Sequence, residues 1–385
     1  MTGPLHVCAV SSSRADYGLL LPPMRAIQAD PAFRLSLILT GQHLVKDAGD
    51  TVARARADGF DIAAEIDMGL AGDDAASVTR ACGRVMDGMA DALARLRPDL
   101  LLVLGDRYEI LCCAIAATLA RVPIAHLSGG DVTEGAFDEG FRHAITKLSH
   151  LHLVSNAQSS ANVRQLAEPA KRVHDVGSPG IDLIHQIKPL PRSEFFTALG
   201  LNPGQTNFLV TFHPVTLARD SLAQFEEVLA ALDSQPDAAI ILTGSNADPE
   251  GRQIDARAMA FAQSGANRIF VPSLGIERYL SALAHMDVVV GNSSSGLTEA
   301  PSFGIPTVNV GKRQEGRLKA DSVFDTPPRR DGILDAIAKA KARGRRNTVN
   351  PYGDGHSSQK IVAILKGISD PTMLLHKTPA FGVAG

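Results

Sequence analysis

The chain has 385 residues, more than one ordinary core accommodates and enough for two. Its 45% hydrophobic and 21% charged residues are ordinary globular composition, and a formal net charge of −3 excludes the broad basic field of a dedicated nucleic-acid binder, though not a local phosphate pocket. The four cysteines (Cys8, Cys82, Cys112, Cys113) fit no zinc spacing, no apolar run reaches the roughly 18 residues of a membrane span, and no signal-peptide pattern opens the chain; a reducing, cytoplasmic setting with no membrane or nucleic-acid partner is expected.

In chain order, His6–Ser11 reads as a buried strand, followed by the loop Ser12-Ser13-Arg14-Ala15-Asp16-Tyr17-Gly18 and a helix from about Pro22 to Asp30, since proline suits a first helical turn. Small residues at a strand-to-helix turn leave backbone N–H groups for an anion, and Arg14 adds a charge there; a tight turn with a solvated Arg explains the loop equally well. Strands are predicted at Arg34–Thr40, Asp61–Met68, Leu100–Leu104, Pro123–Ser128, His152–Ser155 and Val173–Val176. Helices are predicted between them, at about Asp50–Asp58, Ser77–Leu96, Tyr108–Ala120 and Asp138–His150. Leu100–Leu104 is continuously apolar, as a strand covered on both faces should be. Steady alternation predicts an α/β fold with a doubly wound parallel sheet. The cluster Gly177-Ser178-Pro179-Gly180 reads as a breaker, and residues 186–206, rich in Pro, Lys, Asn and Gly, as a linker around one short helix, Arg192–Leu199.

The alternation then restarts, with strands at Phe208–Thr211, Ala239–Thr243, Arg268–Val271, Val288–Val290 and Thr307–Val310. The loop Gly291-Asn292-Ser293-Ser294-Ser295-Gly296 opens a helix expected to run to Phe303, and helices near Gly332–Ala342 and Ser357–Ile368 close the half. The organisation expected is a first domain over 1–185, a linker over 186–206, a second domain over 207–368, and a loose tail over 369–385. The closing helix is assigned to the second domain, with packing back onto the first as the alternative.

Two acid-bearing loops fall at the carboxyl edge of the first sheet, where open α/β sheets bind ligands. Gly105-Asp106-Arg107-Tyr108-Glu109 follows Leu104, and the stretch from Gly129 to Lys147 carries Asp131, Glu134, Asp138 and Arg142. A carboxylate in a closed, low-dielectric cleft has its pKa raised toward neutrality and can act as acid or base. Asp138 and Arg142 share a helix face at four-residue spacing, which an ordinary surface ion pair also explains. In the second half, Ser293 and Ser294 at a helix start read as a phosphate site, since three serines between two glycines exceed what N-capping requires. Arg313 and Arg317 in the next glycine-rich loop reach the same phosphates or form a solvated basic loop, Glu299 in the helix holds a ribose hydroxyl pair or complements the helix dipole, and His213 before Pro214 donates to a diphosphate oxygen or is a satisfied structural residue, the reading that local pattern alone favours. Gly-x-Gly-x-x-Gly is absent, which weighs against a nicotinamide dinucleotide, and no His/Cys/Asp cluster has metal spacing.

Together these motifs resemble the hydrolysing UDP-N-acetylglucosamine 2-epimerase family of sialic- and legionaminic-acid pathways, from Ser13-Arg14-Ala15-Asp16-Tyr17 to Tyr352-Gly353-Asp354-Gly355. The most specific pieces are Gly105–Glu109, Phe141-Arg142-His143-Ala144-Ile145-Thr146-Lys147, Gly291–Gly296 and Gly311-Lys312-Arg313-Gln314-Glu315-Gly316-Arg317. The resemblance implies two Rossmann-like domains facing across a cleft, as in B-type glycosyltransferases, a UDP-sugar partner, no metal or other cofactor, and a homo-oligomer, dimer or tetramer. It implies that Asp106, Asp131, Asp138 and Arg142 form the acid/base and sugar set and that His213 supports departure of UDP. It assigns Arg14, Ser293, Ser294 and Arg313 to the diphosphate, Glu299 to the ribose, and Gly180, Asn246 and Pro272 to further substrate contacts, the last two at the uracil.

The activity implied first is release of UDP and N-acetylmannosamine from UDP-N-acetylglucosamine, by anti elimination to a glycal and hydration. Asp131 stands where the N-acetylglucosamine enzymes commonly carry Glu, and the shorter side chain leaves room for a 4-acetamido group. The alternative is therefore the same chemistry on UDP-2,4-diacetamido-2,4,6-trideoxyglucose (UDP-N,N'-diacetylbacillosamine). A non-hydrolysing 2-epimerase, a B-type glycosyltransferase and a non-catalytic nucleotide-sugar sensor are further alternatives.

Overall fold

The computed structural model describes residues 3–45, 51–70, 72, 74–132, 138–214, 220–245 and 250–381. They divide into two compact units, one running to Asp182 and resuming at Gly355, the other spanning Leu183–Asp354. No helix among them is long and apolar enough to cross a membrane.

The first unit holds a seven-stranded sheet of β1 (Leu5–Ser11), β2 (Phe33–Thr40), β3 (Ile62–Ile66), β4 (Leu100–Leu104), β5 (Ile124–Leu127), β6 (Leu151–Val154) and β7 (Val173–Asp175), in the order β3-β2-β1-β4-β5-β6-β7. Every pairing is parallel. The unbroken apolar run of β4 serves both faces: Leu100, Leu102 and Leu104 enter one core cluster, Leu101 and Val103 the other. The order reverses between β1 and β4, so the loops after those strands lie where doubly wound sheets bind ligands.

The second unit repeats the plan with β8 (Thr206–Thr211), β9 (Ala238–Thr243), β10 (Arg268–Val271), β11 (Val288–Gly291), β12 (Thr307–Val310) and β13 (Val323–Thr326), ordered β10-β9-β8-β11-β12-β13 and all parallel. Its reversal falls between β8 and β11, so His213 and Ser293 follow the two switch strands.

Several boundaries differ from the sequence reading. The first helix spans Arg14–Gln28 and carries Pro22 and Pro23 inside it, because a capping box starts it early: the Ser13 hydroxyl accepts from the Asp16 N–H while the Asp16 carboxylate accepts from Ser13 N–H. The breaker cluster instead opens a helix, Pro179–Gln186, with proline in its first position. Residues 186–206 are no free linker: Phe195, Phe196, Leu199 and Leu201 are buried against Leu209, Ile241 and Leu283 of the second unit. The closing helix, Ser357–Lys366, belongs to the first unit. Ile361 and Leu365 enter its core, and the buried Asp182 carboxylate accepts from the N–H groups of Ser357 (2.9 Å) and Ser358 (2.7 Å), donors that a helix start leaves unpaired. As far as residue 381, the expected loose tail is docked on the same unit, with the Arg172 guanidinium donating to the carbonyls of Met373, Leu374 and His376.

Candidate active site

In the first unit the acids converge on Arg142. This residue sits on the helix Asp138–Leu148 and is 4% exposed. Its guanidinium donates to the Asp106 carboxylate, to the Asp131 carbonyl at 2.6 Å and to Glu139 Oε2 at 2.6 Å. The sheet edge sets this up. Gly105 leaves β4 at φ 82°, a conformation L side chains rarely adopt, which turns Asp106 toward the helix. His126 of β5 fixes that turn from beneath, with Nε2 donating 2.8 Å to the Gly105 carbonyl. Complete burial pushes the imidazole down to about 3, so it is neutral, with Nδ1 facing the Thr146 hydroxyl.

Asp131 follows Gly130, where a Cβ would lie 2.3 Å from the Ser159 carbonyl; only glycine lets this loop lie against the helix Ala157–Gln165. Asp131 Oδ1 then accepts from the hydroxyls of Ser155 (2.5 Å) and Ser159 (2.6 Å). Asp138 opens the acid-bearing helix. Burial, then the negative charge of Asp106, raises its carboxyl above the usual range, against the opposing pull of Arg107 and Arg142. Asp106, Asp131, Asp138 and Arg142 are therefore brought together within one unit. Glu134 lies outside the described residues. Sequence reasoning passed over Glu139, Ser155 and Ser159, and took His126 for a core or strand residue, which it is. Ser155 was findable, since it follows β6 at the same sheet edge.

In the second unit the organising residue is Asn292, 1% exposed. Its amide forms a reciprocal pair with the backbone of His213, accepting from N–H at 2.7 Å and donating to C=O at 2.8 Å. Its own carbonyl accepts from Gln314 Nε2 at 2.8 Å and Arg313 Nη1 at 3.3 Å. The three loops after β8, β11 and β12 are thus locked together. Gly291 permits the approach, since a Cβ there would stand 1.9 Å from the Thr211 carbonyl. Burial and the neighbouring Arg313 push His213 down to about 4, so at neutral pH it is an uncharged imidazole.

The serine loop departs from expectation in one respect. The helix it opens is a single turn, Ser295–Thr298, followed by a 3-10 turn, Ala300–Phe303, around Pro301. The dipole of a full helix is absent, and hydroxyls and loop N–H groups remain as anion donors. Ser294 occupies the N-cap without a side-chain capping bond, so ordinary capping does not account for its hydroxyl. Glu299 ends that turn and accepts from the Thr298 hydroxyl.

Arg14, at the exposed first position of its helix, and Gly180, buried in the first turn of Pro179–Gln186, belong to the first unit. Pro272 is exposed after β10 with its backbone against Gly244, and Asn246 lies outside the described residues.

Residues 25–366 match the family model described as UDP-N-acetylglucosamine 2-epimerase. The chain belongs to the UDP-N-acetylglucosamine 2-epimerase family. Among curated members it is 36% identical over 374 residues to a UDP-N,N'-diacetylbacillosamine 2-epimerase (hydrolyzing) of Legionella pneumophila, covering 97% of this chain and 98% of that one. It is 35% identical over 322 residues to a GDP/UDP-N,N'-diacetylbacillosamine 2-epimerase (hydrolyzing) of Campylobacter jejuni, covering 83% and 84%. The UDP-N-acetylglucosamine 2-epimerase of Neisseria meningitidis is 29% identical over 367 residues, covering 95% of each chain. Among solved structures, a UDP-N-acetylglucosamine 2-epimerase of Listeria monocytogenes superposes with a TM-score of 0.81 at 18% identity, covering 96% of this chain and 98% of that one. The Neisseria meningitidis enzyme bound to UDP-GlcNAc gives 0.73 at 18% identity, covering 94% and 100%. At such identities these likenesses speak to the fold, the two-domain α/β architecture of B-type glycosyltransferases. The chain is an enzyme of the UDP-sugar 2-epimerase class.

Proposed function

We propose that this enzyme is a hydrolysing 2-epimerase acting on UDP-2,4-diacetamido-2,4,6-trideoxyglucose, releasing UDP and the free 2-epimeric sugar. The likeness to the two diacetylbacillosamine 2-epimerases carries this reading. It reverses the order suggested by the sequence, which put UDP-N-acetylglucosamine first. Asp131 agrees with it: a short carboxylate held back by Ser155 and Ser159 leaves more room than Glu for a substituent at C4.

The chemistry needs opposed roles for two carboxyl groups. Epimerisation through a glycal takes a proton from C2 on one face and returns one on the other. In the first step the C2–H pair becomes the C1=C2 bond while the C1–O bond breaks and UDP leaves with its electrons. In the second, C2 gains a proton and water supplies the C1 hydroxyl. A carboxyl group that keeps its proton beside carboxylates held by hydrogen-bond donors suits this division. Asp138, raised by burial and by Asp106, is assigned as the proton donor. The Asp106 and Asp131 carboxylates, ordered by Arg142 and the two serines, are assigned to proton removal and sugar contact.

C2 is not flanked by a carbonyl, so its proton is not acidic, and the leaving group must carry the developing charge into good donors. We assign Ser293, Ser294, Arg313 and the neutral imidazole N–H of His213 to the diphosphate, with Arg14 as a further cation and Glu299 at the ribose. Turnover should be compared on UDP-2,4-diacetamido-2,4,6-trideoxyglucose, its GDP counterpart and UDP-N-acetylglucosamine. The reading expects the first to be favoured in kcat/KM by at least tenfold over the last, and a preference for UDP-N-acetylglucosamine would overturn the substrate assignment.

A further inference from the structure

The segment beyond the closing helix carries a lysine whose donors all serve the acid-bearing helix and its support. Lys377 Nζ donates to the carbonyls of Lys147 (2.8 Å) and Ser149 (2.7 Å) and lies 2.7 Å from Glu168 Oε2. An ammonium has three donors, and these acceptors use all of them. The two carbonyls stand at the C-terminal end of the helix Asp138–Leu148, where carbonyls lack intrahelical partners and a cation is favoured. Lys147 leaves the same turn to reach Glu168 Oε1 at 2.6 Å and the Leu166 carbonyl at 2.8 Å.

Glu168 is 1% exposed, and His152 of β6 donates to it from Nε2 at 3.0 Å. Burial alone would raise its carboxyl. The hydrogen bonds from His152, Lys147 and Lys377 outweigh burial and hold it down at about 2. A strand, the helix and the distant segment thus meet on one buried carboxylate. Lys377 is delivered there by ordered backbone: the 3-10 turn Pro371–Leu375 is held by Arg172, which donates to the carbonyls of Met373 (3.3 Å), Leu374 and His376 (2.8 Å).

We propose that Lys377 and Glu168 are positioning residues of the active site, anchoring the far end of the helix that presents Asp138 and Arg142 to Asp106 and Asp131. The inference rests on the proposed reaction. A helix is stiff along its axis, and at 1.5 Å per residue Lys147 lies only about 7–8 Å along it from Arg142 and about 13–14 Å from Asp138. A slide or tilt at the anchored end therefore reaches the acids nearly undiminished. Misplacement on the order of 1 Å costs about 100-fold in rate when reacting groups must be aligned.

The test is Lys377→Met, with Lys377→Arg as the conservative control. Lys377→Met is expected to lower kcat on the diacetamido UDP-sugar about tenfold or more with KM within twofold, and Lys377→Arg to recover most of that loss. Backbone hydrogen exchange at Ile145–Leu148 should quicken about tenfold in Lys377→Met and not in Lys377→Arg, while β11 and β12 stay unchanged. Exchange needs no substrate, so the two readings fail separately. If the unaltered enzyme turns over no UDP-amino sugar, the reaction is wrong and exchange alone judges the anchor. Unchanged exchange in Lys377→Met overturns the proposal, as does faster exchange with an unchanged kcat, or a loss carried by KM. Should Lys377→Met not fold, Lys377→Gln, which keeps two donors, carries the same expectations at smaller size.

Discussion

Replacing Arg142 by Met keeps most of its length and removes a cation that three acidic residues share. The side chain is 5% exposed, against 26% for Asp106 and 27% for Glu139, so the carboxylates keep some water after the loss. Hydrogen bonds to charged groups contribute about 1.5–3 kcal/mol each, and the lower end applies where solvent reaches the partner. Two such bonds and a weaker one to the Asp131 carbonyl give about 3–4 kcal/mol, within the range for breaking a buried pair. Urea unfolding at pH 7 should show a loss of that size, with Arg142→Lys losing less than half of it, because charge survives and only the planar fork is gone. Activity should respond more evenly: both variants lose the orientation of Asp106 and Asp131, and kcat should fall about 100-fold in each. Unfolding of Arg142→Met within about 1 kcal/mol of the unaltered enzyme, or full activity in Arg142→Lys, would refute the reasoning.

The remaining predictions follow from single groups. Because burial and Asp106 raise the Asp138 carboxyl, its acid form persists above the ordinary carboxyl range; as proton donor it makes kcat fall as pH rises through that raised value, and Asp138→Asn should abolish this limb while lowering kcat about 10²–10⁴-fold. A limb that survives in Asp138→Asn would assign it elsewhere. Asp131→Glu adds a methylene to a carboxylate held by two serines and should shift kcat/KM toward UDP-N-acetylglucosamine relative to the diacetamido sugar; an unchanged ratio in paired assays removes Asp131 as the selector. Glu168 has its carboxyl lowered from 4.5 to about 2, so its stabilisation is complete above pH 4.5 and is lost as pH falls from there toward 2. Glu168→Gln should be less stable at pH 7 and show a flatter acid dependence over that window in equilibrium unfolding; a parallel curve would contradict the assignment.

What was legible in the sequence was whatever local pattern determines. The Leu100–Leu104 run, buried on both faces, could be little but a central parallel strand, and Gly105 after it placed Asp106 at a sheet edge. The start of the first helix was also written locally, in the Ser13–Asp16 capping box, but the Pro22–Pro23 pair drew the boundary eight residues late. β13 (Val323–Thr326) escaped because a four-residue edge strand carrying Asp325 has no apolar run to announce it. Phe195 and Phe196 contradicted the linker reading, since adjacent buried aromatics need a core.

The contacts that shape the acids were not legible. Asp131 depends on serines 24 and 28 residues away, and Arg172 reaches the far segment across 202 residues to Leu374. No spacing rule encodes such pairs; only the strand order brings Ser155 to the same edge as Asp131. His213 was visible as a residue before proline, but not its neutrality, which comes from burial and Arg313.

The central claim is hydrolytic epimerisation through a glycal, and incubation in D₂O tests it most directly. With UDP-2,4-diacetamido-2,4,6-trideoxyglucose the account predicts one UDP released per sugar, and a free 2-epimer carrying deuterium at C2 from the proton returned there. A product that keeps UDP, or a free sugar with its original hydrogen at C2, would contradict it.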